Sequence, residues 1–452
     1  MKKGIQMENP GFETFRKVKI QAAVITSLLA AAVFTIRAAI TGITYDEAFT
    51  YLAYARPLMD SPTISMLGSI FWGSVANNHW LNTFLIALVC GTLKIQYSEF
   101  LIRLPSVIMG CAYLGLVLWE FCKGRFTGIQ YAVLTFCYYA AEFFGLARGY
   151  GMATMLVLGG ILLYNRWKMG KYEKHYLLLL SVGVFILSAY ANSVTLAICF
   201  CMGIVMAEHL ILERKLIPFI RKCWPVLIVY AGAGLVIVKY HFRVSGEGMP
   251  LWASSGSSIY GIMAEYVSML LYGDGVIRLV SFLLLVLTAA AVVYLAVRKK
   301  LLECDLGIAC LVYFLFLVSM DVVFKRGGFY GRTLLPAYPL VALGIYELLG
   351  AAVRDLQEKI HGLNRKMHFA GKIFGILFVL TLFFMYVGKI NLLRTRDWYD
   401  DYNIKVDFYC NPDFSSEGDH ASVIFYREKK EWDKENLFRE YLGEEKNSYM
   451  LE

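Results

Sequence analysis

Phe100–Phe121 reads FLIRLPSVIMGCAYLGLVLWEF, an apolar run in which Arg103 and Glu120 are the charged residues. It is as long as the roughly 20 residues that a membrane-spanning helix needs. Similar runs occupy Ala22–Ile40, Val280–Val297 and Phe374–Val387. Of the 452 residues, 58% are hydrophobic and 17% charged. A soluble domain carries about a quarter charged residues, so the composition excludes that class and predicts an all-α polytopic membrane protein. The first run follows a basic stretch (Lys2, Lys3, Arg16, Lys17, Lys19) and lacks a small-x-small cleavage site, so it reads as a retained helix. The ten cysteines are scattered, with no Cys-x-x-Cys, and read as small core residues. The formal charge of +9 sits largely in short loops, which points to membrane topology and away from nucleic acid.

Hydropathy predicts about eleven spans, at 20–40, 100–121, 127–144, 150–165, 176–191, 194–211, 223–240, 277–297, 306–323, 330–350 and 371–388. Trp80–Leu93 is apolar but too short to cross. If it does not cross and the N-terminus is cytoplasmic, the cytoplasmic loops hold Lys123, Arg125, Arg166–Lys174, Arg214–Lys222, Arg298–Lys300 and Arg354–Lys366. These and the N-terminus carry roughly twenty Lys and Arg, against about ten outside before the tail that starts at Lys389, as the positive-inside rule requires. If Trp80–Leu93 crossed, the bias would reverse. The expectation is therefore a plasma (inner) membrane protein with the N-terminus cytoplasmic, and Trp80–Leu93 flat or dipping in from outside. Residues 1–388 form its membrane domain, with a first outer loop at 41–99. Residues 389–452 form a small extracytoplasmic segment with a strand-like run (Ser422–Tyr426) and a helix-like run (Lys434–Leu442).

Four features of the outer face stand out. Asp46-Glu47, after Tyr45, is a carboxylate pair just past the first helix; crowding raises one pKa, which suits a base, and a solvated loop pair is the alternative. Asn77-Asn78-His79, with Asn82 one turn on, can hold a phosphate or sugar hydroxyls, or cap an interfacial helix. Arg148, in Ala147-Arg148-Gly149-Tyr150, sits between two spans, where an arginine is expensive; it either binds something or snorkels. Lys325, Arg326 and Arg332 crowd basic charge onto the face that should lack it, among Gly327, Gly328 and Gly331. An anionic ligand or lipid headgroups would explain them.

Five short elements occur in order: Asp46-Glu47; Asn78-His79-Trp80-Leu81, which keeps the His and Leu of a His-Pro-Pro-Leu pattern; Glu99-Phe100-Leu101-Ile102-Arg103-Leu104-Pro105-Ser106; Ala147-Arg148-Gly149-Tyr150; and Arg332 with Pro336 and Pro339. Through them the chain resembles a GT-C superfamily glycosyltransferase of family 39, the branch of protein O-mannosyltransferases and lipid A aminoarabinose transferases. The resemblance implies an inverting transferase, fed by a polyprenyl-phosphate sugar donor and acting on a glycan, lipid or protein acceptor outside the cytoplasm. Asp46 would be the base and Glu47 its assistant. Arg148, Tyr150, Lys325, Arg326, Arg332 and His79 would hold the donor and its phosphate, and Tyr45, Asn78 and Asn82 would contact sugar or acceptor. It leaves open a divalent metal (Mg, Mn or Zn) at Glu47 and His79. Some relatives carry a second acid where this chain has Ala153, with Glu142 on the other side of the turn. The competing readings are a lipid-linked substrate transporter or flippase, a catalytically silent assembly partner, and a ligase using a diphosphate carrier.

Overall fold

The computed structural model describes residues 10–41, 44, 47, 50–73, 78–95, 98–170, 173–246, 258–271, 274–324, 331–359, 365–390, 392, 405–409 and 422–426. Helix α1 (Pro10–Ile40) is followed by a π-turn (Tyr51–Ala55) and by α2 (Arg56–Asp60), α3 (Ile64–Gly73) and α4 (Trp80–Leu93). Next come α5 (Glu99–Cys122), α6 (Gly128–Thr135), α7 (Tyr138–Phe144), α8 (Gly149–Met169), α9 (His175–Ala191) and α10 (Leu196–Leu212). The set continues with α11 (Leu216–Gly246), α12 (Ile259–Leu270), α13 (Asp274–Val297) and α14 (Asp305–Phe324). A 3-10 turn (Gly331–Ala337) leads into α15 (Tyr338–Lys359), and α16 (Arg365–Lys389) follows. Lys405–Tyr409 and Ser422–Tyr426 pair antiparallel, an exception to the all-α expectation at the strand-like run. The helix expected at Lys434–Leu442 lies outside the described residues.

Capping chemistry starts several of these helices. Ser98 Oγ accepts from the Leu101 amide at α5, and Thr127 with Gln130 forms a reciprocal capping box at α6. Helix α1 packs along α5, α8 along α9, and α14 along α15. The core runs through Phe34, Tyr113, Phe144, Trp167, Phe185 and Leu334. The outer rim is as apolar as the core: Leu28, Leu235 and Phe374 are 65%, 69% and 70% exposed. At about 25 cal/mol per Å², so much apolar surface facing water would oppose folding, and hydrocarbon is the solvent it fits.

Ten of the eleven expected spans fall mainly on one helix each, and 127–144 falls on two. By length and composition, however, six described helices can cross alone, or seven if the bent pair α7–α8 counts as one. The expected span at 127–144 breaks at Phe136 and Cys137, where no Pro or Gly stands. Two tyrosines distant in sequence take up carbonyls that the break leaves without a helical partner. Tyr338 donates its hydroxyl to the Val133 carbonyl (2.8 Å), and Tyr113 to that of Leu134 (3.1 Å). A continuing helix would need those two carbonyls for Cys137 and Tyr138.

Helix ends sort onto two faces. On one, Glu120 accepts from Arg125 (2.8 Å) and Arg166 (2.7 Å). On the same side Asp305 accepts from Lys168 (2.6 Å) and pairs with His209 (2.9 Å), and Asp355 pairs with Lys300 (2.6 Å). On the other face Thr41 donates to the Leu392 carbonyl (3.1 Å), so α1 and α16 finish together. The stretch between the expected spans 223–240 and 277–297 is not all loop: α12 inserts Ile262, Met263, Tyr266 and Met269 into the core.

Candidate functional site

Glu47 is fully buried, and its carboxylate is surrounded by donors. Arg103 forks onto it, Nε to Oε1 (2.8 Å) and Nη2 to Oε2 (2.7 Å). The Thr44 amide and hydroxyl each reach Oε2 at 3.0 Å. The Ala147 amide reaches Oε1 at 2.6 Å. Burial alone would lift this carboxyl, but Arg103 with the Ala147 and Thr44 amides more than reverses that and holds it below its ordinary range. Nη1 of the same arginine donates to the Ala38 (3.2 Å) and Thr41 (2.5 Å) carbonyls at the end of α1. The pair therefore ties three segments together: α1, α5 and the turn before α8.

That turn carries Arg148. Between α7 and α8 the chain bends by 117°, and Ala147 is gripped from both sides. Its amide donates to Glu47, and its carbonyl accepts from Asn82 Nδ2 (2.9 Å). Arg148 follows, 2% exposed, with Nη1 at 3.4 Å from Thr50 Oγ1. Gly149 is required by its surroundings. A Cβ there would run into the Ala191 carbonyl and lie 2.7 Å from the His79 Cβ.

Tyr150 is the centre of the cluster. The Arg148 and Arg332 guanidinium carbons lie 5.8 Å and 5.7 Å from its ring centroid, and the His79 ring meets it edge-on at 4.7 Å. Burial, then the charges of Arg148 and Arg332, push the His79 imidazole well below its ordinary value, against a hydrogen bond to the Ala191 backbone. His79 is therefore neutral at pH 7, and with Glu47 balanced by Arg103 the cluster's charge, among the described residues, comes from its two guanidinium groups.

Arg332 is held in the same style as Arg148. Gly331 takes a positive φ of 51°, and its amide donates to Glu265 Oε2 on α12 (3.2 Å). The next residue of α12, Tyr266, donates to the Leu334 carbonyl (3.3 Å). In both arms a carboxylate accepts from the amide immediately before the arginine.

Four expected residues thus meet: His79, Arg148, Tyr150 and Arg332. Glu47 and Asn82 stand behind them as brackets. Asn78 lies beside them, its Oδ1 accepting from the Thr83 hydroxyl (2.6 Å). Tyr45, Asp46, Lys325 and Arg326 fall outside the described residues. Glu142 turns away from this cluster into the bundle, pairing with Arg37 (3.7 Å) and accepting from Tyr138 (2.9 Å). A metal at Glu47 and His79 does not fit this donor set, because Arg103 and three further hydrogen bonds occupy the Glu47 oxygens. Among the described residues no three His, Cys, Asp or Glu are grouped to hold one. Sequence reasoning assigned no role to Arg103 or Glu265. Each is a charged residue inside an apolar helix, and that expense is the signal that could have found it.

No family model and no curated protein matches the chain. Among solved structures it is similar to the crystal structure of ArnT from Cupriavidus metallidurans in the apo state, at 14% identity and a TM-score of 0.46. The match covers 83% of this chain and 66% of that one, so the chain spans just under two thirds of ArnT's length.

Proposed function

We propose that this chain is a membrane-embedded glycosyltransferase that takes a sugar from a polyprenyl-phosphate carrier at the extracytoplasmic face. The observation that carries the reading is the pair of guanidinium groups on Tyr150, each following a backbone amide held by a carboxylate. Two fixed cations beside a neutral imidazole suit a phosphate monoester, and arginine's planar fork suits its oxygens.

In this reaction the acceptor oxygen attacks the anomeric carbon as the bond from that carbon to the phosphate oxygen breaks, inverting the centre. The bonding pair leaves with the phosphate, whose charge grows in the transition state. Arg148 and Arg332 stabilise it there, in a site where the low dielectric strengthens the interaction. Phosphate needs no proton to depart. The acceptor's proton goes to Asp46, one residue before Glu47. In this account Glu47 is a positioning residue, anchoring the loop that carries Asp46 and the turn that carries Arg148. Water slowly replaces the acceptor when none is supplied.

The test is Asp46→Asn in the full chain, purified in detergent and supplied with polyprenyl-phosphate sugars. The wild type is expected to release free polyprenyl phosphate and the variant to bind donor without releasing it. A fully active Asn variant removes Asp46 from the base role, and carrier movement in proteoliposomes without sugar transfer would favour a flippase.

A further inference from the structure

Around the start of α4, four side chains each carry a buried polar atom with no hydrogen-bond partner among the described residues, Asn78 Nδ2, His79 Nε2, Asn82 Oδ1 and Asn192 Nδ2, and Trp80 Nε1 beside them is a further donor of this kind. The four residues are at most 5% exposed. Each of the four side chains is nevertheless anchored through its other polar atom. Asn78 Oδ1 accepts from Thr83 (2.6 Å), Asn82 Nδ2 donates to Ala147 (2.9 Å), and Asn192 Oδ1 accepts from the Val194 amide (3.2 Å). His79 bonds the Ala191 backbone, and since Nε2 is the orphan, the bonded nitrogen is Nδ1. Nδ1 then carries the proton, leaving Nε2 a bare acceptor.

The four belong to one neighbourhood. Gly149 brings the His79 ring against the Ala191 carbonyl, and Asn192 is the next residue. Asn82 reaches the same turn through Ala147, and α4 packs on both α8 and α9. A buried polar group left unpaired costs about 1–3 kcal/mol, and more than 90% of buried backbone polar groups, with most side-chain ones, are paired. Four orphans in one neighbourhood therefore point to a ligand that satisfies them.

Their chemistry narrows its class. Two are amide donors and two are acceptors. A phosphate only accepts and an ammonium only donates, so either could match half the set. A hydroxyl does both. His79 also touches the ring of Tyr150, on which the two arginines converge. We propose that Asn78, His79, Asn82 and Asn192 form a subsite for the hydroxyls of an uncharged sugar ring, next to the arginine pair that takes the carrier phosphate. This rests on the transferase reading of the preceding subsection.

The test measures affinity of the detergent-purified full chain for bare polyprenyl phosphate, for its gluco-, manno- and galacto-hexosyl forms, and for a uronate and an amino-sugar counterpart. At least one neutral hexosyl carrier is expected to bind about 10- to 100-fold tighter than the bare carrier. Asn192→Asp keeps the oxygen that caps the Ser193–Thr195 turn and loses the donor. It is expected to erase most of that advantage, measured against the same variant's own affinity for the bare carrier. Monodeoxy hexosyl carriers make the same measurement on the unaltered protein, and one of them is expected to lose a similar factor. Equal affinity for bare and hexosyl carriers, or preference for the uronate or amino sugar, overturns the subsite. So does an advantage that survives both Asn192→Asp and every deoxy analogue. Failure of every carrier to bind, bare or glycosylated, instead removes the transferase reading and the subsite with it.

Discussion

Glu47 and Arg103 form the most consequential pair in the site, because neither has water to fall back on. Glu47→Gln leaves a buried guanidinium without its counter-charge and is expected to cost about 3–5 kcal/mol. Thermal unfolding in detergent checks this, and a variant as stable as wild type would show that the pair is dispensable to the fold. The pH dependence has a definite sign. The Glu47 carboxyl is held below its ordinary value of 4.5, so its contribution is complete above that pH and fades as the pH falls below it. His79 behaves differently. Its imidazole is held well below 6.5, so it is neutral in both states above that value, and below it the unfolded chain takes up the proton first. Stability should therefore begin to fall below pH 6.5 in the wild type and less so in His79→Gln. Parallel melting profiles for the two would contradict the neutral, buried imidazole.

The elements that aim these residues are joined across long stretches of chain, which decided what could be read in the sequence. Arg148, Arg332, His79 and Tyr150 were legible because polar residues are costly near an apolar run and need a reason to be there. Their brackets were not, since Glu47 reaches Arg103 over 56 positions and Ala147 over 100, and Glu265 reaches Gly331 over 66. No local pattern reports such pairs. The break between α6 and α7 was hidden for the same reason, with Tyr113 and Tyr338 taking the carbonyls from elsewhere in the bundle. Helix α12 lay within what reads as an outer loop, yet two successive residues of it hold the segment bearing Arg332. Glu265→Ala should therefore speed hydrogen exchange at Gly331 and weaken carrier binding about tenfold, on the scale of one hydrogen bond to a charged acceptor. In an Arg332→Ala background the same change should leave binding unaltered. Equal losses in both backgrounds would place Glu265 outside the Arg332 arm.

At the scale of the molecule, the apolar rim and the two polar faces divide the labour: the rim sets the chain in a bilayer, and each face gathers its own charges. The face with Glu120, Asp305 and Asp355 is laced by ion pairs. The opposite face gathers Glu47, His79, Arg148 and Arg332 around one tyrosine and its supports. Single cysteines at Gly170 and at Leu392 should react with an impermeant thiol reagent from opposite sides of sealed vesicles, Leu392 from the extracytoplasmic side. Labelling of both from one side would overturn the arrangement. In the proposed reaction, two guanidinium groups on Tyr150 hold a carrier phosphate during sugar transfer. The most direct test is sugar-dependent release of free polyprenyl phosphate by the purified wild type, set beside Arg148→Gln, Arg332→Gln and the double variant. The wild type is expected to release it, each single variant to lose about a hundredfold or more, and the double variant to be little worse than the worse single one. Undiminished release by the double variant would contradict that role for the two arginines.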